Sequence, residues 1–191
     1  MRIQSQSLLD RVARQISRPP TSAPDAASLL SRIANAYSAL PVIDEEMGLT
    51  SFDPDAAALF EAVVEATFLV AHADGHFDAE ERAAFQTVVS SACGGAVKAP
   101  RLDALIADFT EQLAEDGQEK RTRMIGRTIT VHHQQMEVMR MAALMAWASG
   151  GVSAEERVTL ELLAAGLGLA RGSVDTVLAQ AAAALDLDGV T

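Results

Sequence analysis

The sequence predicts an all-α fold: a pseudo-symmetric helical bundle built from two three-helix repeats, with an N-terminal helical extension. Three observations lead there. The first is a duplication. Residues 71–82 read Ala-His-Ala-Asp-Gly-His-Phe-Asp-Ala-Glu-Glu-Arg, and residues 146–157 read Ala-Trp-Ala-Ser-Gly-Gly-Val-Ser-Ala-Glu-Glu-Arg. Gly75 aligns with Gly150, and Ala79 to Arg82 align with Ala154 to Arg157. Self-similarity at a fixed spacing marks two copies of one supersecondary unit. The second is composition. Hydrophobic residues make up 49% of the chain but aromatics only 4%, so alanine and leucine dominate the apolar set, which favours close-packed helices over sheets. The third is periodicity: apolar residues recur three and four apart, and no stretch alternates as a half-buried strand does.

The elements follow in order. Ile3, Leu8, Leu9, Val12 and Ile16 fall near one face of a helix over residues 3–16, with Arg11 and Arg14 off it. Arg18-Pro-Pro-Thr-Ser-Ala-Pro24 breaks any helix and reads as a linker. Leu29, Leu30, Ile33, Tyr37 and Leu40 form a second amphipathic helix, stopped by Pro41. Residues 1–50 are thus the extension, and 51–191 the body. The body opens at Asp53-Pro54, where Asp can cap a helix and Pro suits its first position. That helix runs to about His72 and is apolar nearly all round through Phe60, Val63, Val64, Phe68 and Leu69, so it is expected to be buried. Asp74-Gly75 turns the chain. A second helix follows Asp78 and runs to about Ala92, closed by Gly94-Gly95 and Pro100. A third carries Leu102, Leu105, Ile106, Phe109 and Leu113, and is expected to end at Gly117. These three make repeat one, 54–117. A crossover over 118–130, with Lys120, Arg121, Arg123 and Arg127, leads to repeat two, 131–187. There a helix near 132–148 carries Met136, Met139, Leu144, Met145 and Trp147, and Ser149-Gly150-Gly151 turns the chain. Ser153 opens a helix with Val158, Leu162, Leu163 and Leu167, ended by Gly166, Gly168 and Gly172. Ser173 is expected to cap the last helix, where Val174-Asp-Thr-Val-Leu178 echoes Leu102-Asp-Ala-Leu-Ile106.

Charge narrows the function. Asp and Glu number 26 against 15 Lys and Arg, for a net charge of −11. An acidic surface argues against nucleic acid as a partner, because that binding rests on neutralising phosphates. Residues 1–20 are the exception, with Arg2, Arg11, Arg14 and Arg18 against Asp10. This basic helix suits docking on the acidic body better than it suits anionic lipid, since it is short and has few cations. The single cysteine, Cys93, rules out an internal disulfide and reads as a small buried apolar residue. No apolar run approaches the roughly 18 residues of a membrane span, and the N-terminus lacks a secretory-type apolar core. The chain is expected to be cytoplasmic and not membrane-spanning.

The repeated loop has two readings. In the first, Asp78-Ala-Glu-Glu81 and Ser153-Ala-Glu-Glu156 are capping boxes, Gly75 and Gly150 permit tight turns, and Phe77 and Val152 are hydrophobic staples. In the second, His72, Asp74, His76 and Asp78 are metal ligands. Two imidazoles and two carboxylates lie within seven positions, and mixed nitrogen and oxygen donors suit zinc or another transition ion better than calcium. Glu81 and either His132 or His133 could contribute. The glycine directly follows the first aspartate, which does not fit an EF-hand. The corresponding positions in the second copy are Trp147, Ser149, Gly151 and Ser153, so any site is asymmetric and centred on the first loop.

Catalysis has little support. The chain has no His-Glu-x-x-His, no phosphate-cradling glycine loop and no Gly-x-Ser-x-Gly. Glu80 and Glu81 are neighbours at a helix start and point apart. Asp108, Glu111 and Glu115 lie along one helical face as a solvated stripe. With the basic run Lys120-Arg121-Thr-Arg123 they could also form a dipolar surface for a protein partner.

Ala73-Asp74-Gly75-x-Phe77-Asp78-x-x-Glu81, the buried helix before it and the weaker second copy together resemble the tellurite resistance protein TerB family. They also resemble the TerB-like domain of a membrane-anchored DnaJ-type co-chaperone. The resemblance spans about residues 55–187. It implies an all-helical, internally repeated protein tied to tellurite and other stress, acting in metal sensing or in complexes at the inner membrane face. It places the family's acidic turn position on Asp74, its glycine on Gly75 and its helix-start glutamate on Glu81. In the second copy Gly150 and Glu156 match, but Ser149 departs from the acidic pattern. The expectation is a non-enzymatic, stress-linked interaction module with protein partners. The alternatives are a metal-ion sensor using the first Asp-Gly loop, or a small enzyme of unknown reaction.

Overall fold

The computed structural model describes residues 6–18, 27–38, 53–148 and 151–186, with the backbone of 43–44 and 48–49. Among these, helices carry the fold: α1 (Gln6–Ile16), α2 (Leu29–Ser38), α3 (Pro54–Ala71), α4 (Ala79–Ala92), α5 (Ala99–Thr128), α6 (His132–Ala148), α7 (Ala154–Gly166) and α8 (Ser173–Ala184). The all-α expectation stands, with one local exception. A minimal antiparallel ribbon pairs β1 (Ile43–Asp44) with β2 (Gly48–Leu49). Two residues a side are too few to leave an alternating signature. Ile3, Leu40, Pro41, Ser149, Gly150 and most of the 18–24 linker lie outside the described residues.

α3 and α6 form the middle of the bundle. α3 packs against α2, α5 and α6, and α6 against α8, α1 and α7. Their sequences explain this placement: both are apolar nearly all round, so both must be surrounded. Phe60, Val63, Phe68, Leu69 and Val70 are fully buried, as are Val138, Met139, Met141 and Leu144. The methionines are unbranched and fill irregular gaps between helices. Asp53 caps α3 as expected, accepting from the N–H groups of Asp55 (3.0 Å) and Ala56 (3.1 Å), with Pro54 at the first position.

The extension docks on the body. Leu8, Leu9, Val12 and Ile16 of α1 are buried against α4 and α6, and Leu29, Leu30, Ile33 and Tyr37 of α2 are buried beside α3. Tyr37 stacks on Phe60 at 4.3 Å, with the Arg101 guanidinium 4.0 Å from the Tyr37 ring centre on the other interaction. Polar side chains lock the helix ends. Arg140 of α6 donates to the carbonyls of Gln15 (2.9 Å) and Arg18 (3.2 Å) at the end of α1. Glu137, one turn earlier, accepts from Leu29 N–H at the start of α2 (2.6 Å). A cation at a helix C-terminus and an anion at an N-terminus both complement the helix dipole. In return, Arg11 and Gln15 donate to the carbonyls of Leu185 (3.1 Å) and Ala184 (3.0 Å) at the end of α8.

Two expectations are corrected. Gly117 does leave helical geometry (φ 72°, ψ 159°), but it kinks α5 and does not end it. The segment beyond it, read as the crossover over 118–130, is helical to Thr128, with Arg121, Thr122 and Ile125 buried in the bundle. Ser173 is the first residue of α8 and not its cap. Gly172, in the left-handed region at φ 90°, holds the cap position, and no side chain bonds the helix start.

Candidate functional site

The first repeated loop is built by local chemistry. α3 ends with His72, and Gly75 (φ 80°) turns the chain, donating its N–H to the His72 carbonyl at 3.0 Å. Asp74 accepts from His76 N–H through Oδ1 (3.0 Å), and the His76 ring nitrogen Nδ1 lies 3.2 Å from the Asp74 carbonyl. Asp78 Oδ1 accepts from the N–H groups of Glu80 (2.9 Å) and Glu81 (2.8 Å), and Glu81 Oε2 accepts from Asp78 N–H (3.0 Å). This is a complete capping box. Glu81 is buried in it, whereas Glu80 is exposed, so the two carboxylates do point apart. Phe77 anchors the loop, meeting Phe68 and Phe85 edge-on at 5.4 and 6.0 Å. The His72 ring lies against the same cluster, 5.3 Å from Phe68. The second loop repeats the device: Ser153 Oγ accepts from Glu156 N–H (3.1 Å) and Glu156 Oε2 from Ser153 N–H (2.7 Å).

Of the candidate ligands, Asp74 and Asp78 serve as turn and cap acceptors through Oδ1, the His72 ring packs against Phe68, and His76 is exposed. His132 and His133 are exposed at the start of α6. Among the described residues, no three His, Cys, Asp or Glu side chains are grouped so as to hold a metal ion.

A cleft between α3 and α5 brings together groups that local reading did not connect. Arg121, in the segment beyond the kink, forms a two-pronged ion pair with Glu65 of α3: Nε to Oε1 at 2.6 Å and Nη2 to Oε2 at 2.9 Å. Both residues are buried. Arg121 also donates to Asp116 Oδ2 (3.3 Å), and its charged form is held by the Glu65 hydrogen bonds. Lys120 pairs with Asp116 at 2.6 Å and Arg123 with Glu119 at 2.7 Å. The expected basic face of the Lys120–Arg123 run is thus internally neutralised. Above the buried pair opens a cleft of about 350 Å³, with a floor that includes Ala62, Leu105, Phe109 and Ile125. Glu61 and Asp108 line it and have no hydrogen bond or ion pair among the described residues. Burial pushes the Glu61 carboxyl above its usual range; Arg101 opposes this, while Asp108 and Glu65 add to it. One signal in the sequence pointed here. Glu65 interrupts the apolar run Val63-Val64-Glu65-Ala66-Thr67-Phe68, and a charge on a helix buried all round needs a partner.

A bundle of short helices around two central ones, with a twice-used capped Asp/Ser-x-x-Glu loop, defines the class as a small all-α helical domain. The chain belongs to the TerB family: the family model for tellurite resistance protein TerB matches residues 60–179. The match runs from within α3 into α8 and leaves α1 and α2 outside it. No curated protein and no solved structure matches the chain.

Proposed function

We propose that this chain is a cytoplasmic, non-enzymatic interaction module of the tellurite-resistance type, and that it docks a basic segment of a protein partner in the α3–α5 cleft. The observation that carries this reading is the pair Glu61 and Asp108, two unpaired carboxylates on a cleft with an apolar floor. A lysine or arginine side chain suits such a place, because its aliphatic stem lies on apolar surface while its head meets the carboxylates. Arg121 lines the same cleft, but its charge is committed to Glu65 and Asp116. Met124, 38% exposed at the cleft edge, offers an adaptable contact. A cell that depends on this protein for growth on tellurite tests the reading. Replacing it with the double variant Glu61→Gln, Asp108→Asn should abolish resistance while folded protein persists; full resistance would refute the docking face.

We also read residues 54–187 as two copies of one three-helix unit, supported by the matching capping boxes at Asp78 and Ser153. The second functional reading is a divalent-ion sensor at the first loop. It is favoured by Asp74 Oδ2 and Asp78 Oδ2, which accept no hydrogen bond among the described residues, beside the exposed His76. Binding there requires the loop to rearrange around the ion. An ion that binds only the folded state raises the melting midpoint, so a rise with zinc, nickel, manganese or calcium that disappears in Asp74→Ala would move the function to this loop.

A further inference from the structure

The α3–α5 cleft has a cation beside it that is not paired with its carboxylates. Leu105, Asp108 and Gln112 of α5 line the cleft. Arg101 falls one turn before Leu105 on the same stripe of that helix. It makes no hydrogen bond or ion pair among the described residues; its guanidinium lies over the Tyr37 ring, 4.0 Å from the centre. Tyr37 of α2 is buried and stacks at 4.3 Å on Phe60, the residue next to Glu61 in α3. The ring that holds Arg101 is thus itself held by the cleft's own wall. Of the other cations there, Arg121 is committed to Glu65 and Asp116, and Arg127 is exposed. The positive charge that opposes the rise of the Glu61 carboxyl is that of Arg101, with Asp108 and Glu65 acting the other way. Arg101 therefore lies close enough to be felt at Glu61, yet it sits on an aromatic face. A cation over a ring and an exposed ion pair are of similar strength, so the presence of the ring decides between them.

We propose that Tyr37 of the extension holds Arg101 off Glu61, and that Arg101 thereby sets how strongly the cleft takes a cationic side chain. The second half rests on the docking reading above. With Arg101 on the ring, Glu61 and Asp108 face an open cleft. Without the ring, the guanidinium turns to Glu61 and takes the place of a partner's cationic head. Tyr37 lies outside the TerB match, which begins at Phe60. A helix outside the family's domain thus controls a cleft inside it.

The test follows the Glu61 side-chain carboxyl of the full chain by carbon-detected resonance across pH, and titrates each variant with pentalysine. Arg101→Gln should raise the Glu61 pKa and tighten pentalysine binding. Tyr37→Leu should do the reverse, lowering Glu61 and weakening binding. Each change in affinity should be about threefold, the scale of one exposed charge pair. The double variant should behave as Arg101→Gln does, and Tyr37→Phe, which keeps the ring, as the parent. Ring-current shifts on the Arg101 Cδ protons read the same contact in the parent, with no substitution that could unfold it. Three results would overturn the inference: unshifted Cδ protons, a Glu61 that Tyr37→Leu leaves in place or raises, or a Tyr37→Leu effect that persists in the double variant. Glu61 titrations that move as expected, with no pentalysine binding to any variant, would sink the docking reading and leave the Tyr37–Arg101 latch standing. Unmoved titrations with equal binding throughout would do the opposite.

Discussion

Gly126 of α5 and Gly166 of α7 cross with no room for a side chain on either. A Cβ on Gly126 would lie 1.8 Å from the Gly166 carbonyl oxygen, and a Cβ on Gly166 would lie 2.3 Å from the Thr122 carbonyl oxygen. Both neighbours are backbone, so neither can yield by changing rotamer. The contact sets how closely α7 approaches the segment of α5 beyond the kink, the segment that carries Arg121. Gly126→Ala therefore pits two effects against each other. Alanine is the better helix former by about 1 kcal/mol, whereas overpacking against fixed backbone costs about 3 kcal/mol or more. The clash wins, and denaturant melts should show net destabilisation. An unchanged or raised midpoint would mean that the two helices sit farther apart.

The ion pair behind that crossing gives a second prediction. Arg121→Met leaves Glu65 buried without its partner, which costs about 3–5 kcal/mol. The stranded carboxyl then resists ionising, so its folded-state pKa rises above the unfolded value. The deficit should be largest at neutral pH and shrink as pH falls to about 4, where the unfolded chain also protonates. Replacing both residues, Glu65→Leu with Arg121→Met, should recover most of the stability, because a buried pair is often no better than apolar side chains of similar volume. A double variant as unstable as the single one would show that the pair does more than satisfy itself.

These two contacts also mark where sequence reading stops. Asp53-Pro54, Asp78-x-x-Glu81 and Ser153-x-x-Glu156 act within four residues of themselves, so spacing alone reveals them, and with them the starts of α3, α4 and α7. Glu65 and Arg121 are 56 positions apart, and Gly126 and Gly166 lie on different helices; nothing local joins either pair. Gly117 illustrates the boundary. Its backbone does leave the helix, as the residue type implies, yet burial of Arg121 and Ile125 restarts the helix just beyond it. The same holds for function. The His72–Asp78 loop is conspicuous because its polar residues are adjacent in sequence, and that adjacency is what turns and caps require. The cleft of Glu61 and Asp108 exists only once α3 and α5 are packed.

Cys93 should be inert in the folded protein. It is 5% exposed, and burial pushes its thiol up to about 12. The reactive species is the thiolate, so alkylation at neutral pH should occur only on unfolding. The linkage has a definite sign. The folded thiol keeps its proton while the unfolded one loses it near 9. Its contribution to stability is therefore intact below about 9 and lost as pH rises toward about 12. Rapid labelling under native conditions would place Cys93 at the surface.

The two capping boxes should be worth similar amounts. Asp78→Ala and Ser153→Ala each remove the side-chain acceptor at a helix start, at a cost of about 1 kcal/mol. The backbone N–H groups of residues 78 and 153 that bond Glu81 and Glu156 remain in both variants, so losses near that figure are expected. If Asp78 served mainly as a metal ligand, its removal would cost little in metal-free buffer and much with the ion present. Melts of both variants with and without chelator separate these outcomes.

The cleft itself predicts an exchange of stability for function. Glu61 is exposed by surface area, yet partial desolvation, opposed by Arg101 and aided by Asp108 and Glu65, raises its carboxyl, so its ionised form is modestly less favourable in the folded state than in the unfolded one. The unfolded chain then loses this proton first as pH rises, and stability falls through the carboxylate range. Glu61→Gln removes that penalty. Its melting midpoint should exceed the parent's at neutral pH and converge with it at pH values below the carboxylate range. Asp108→Asn should move the midpoint the same way, since it removes one of the charges opposing Glu61. A carboxylate kept only for structure gives the opposite result, a lower midpoint on neutralisation. Melts across pH decide between them: a midpoint that rises in Glu61→Gln while tellurite resistance falls marks a surface held ready for a cationic partner, and a midpoint that falls makes Glu61 part of the scaffold.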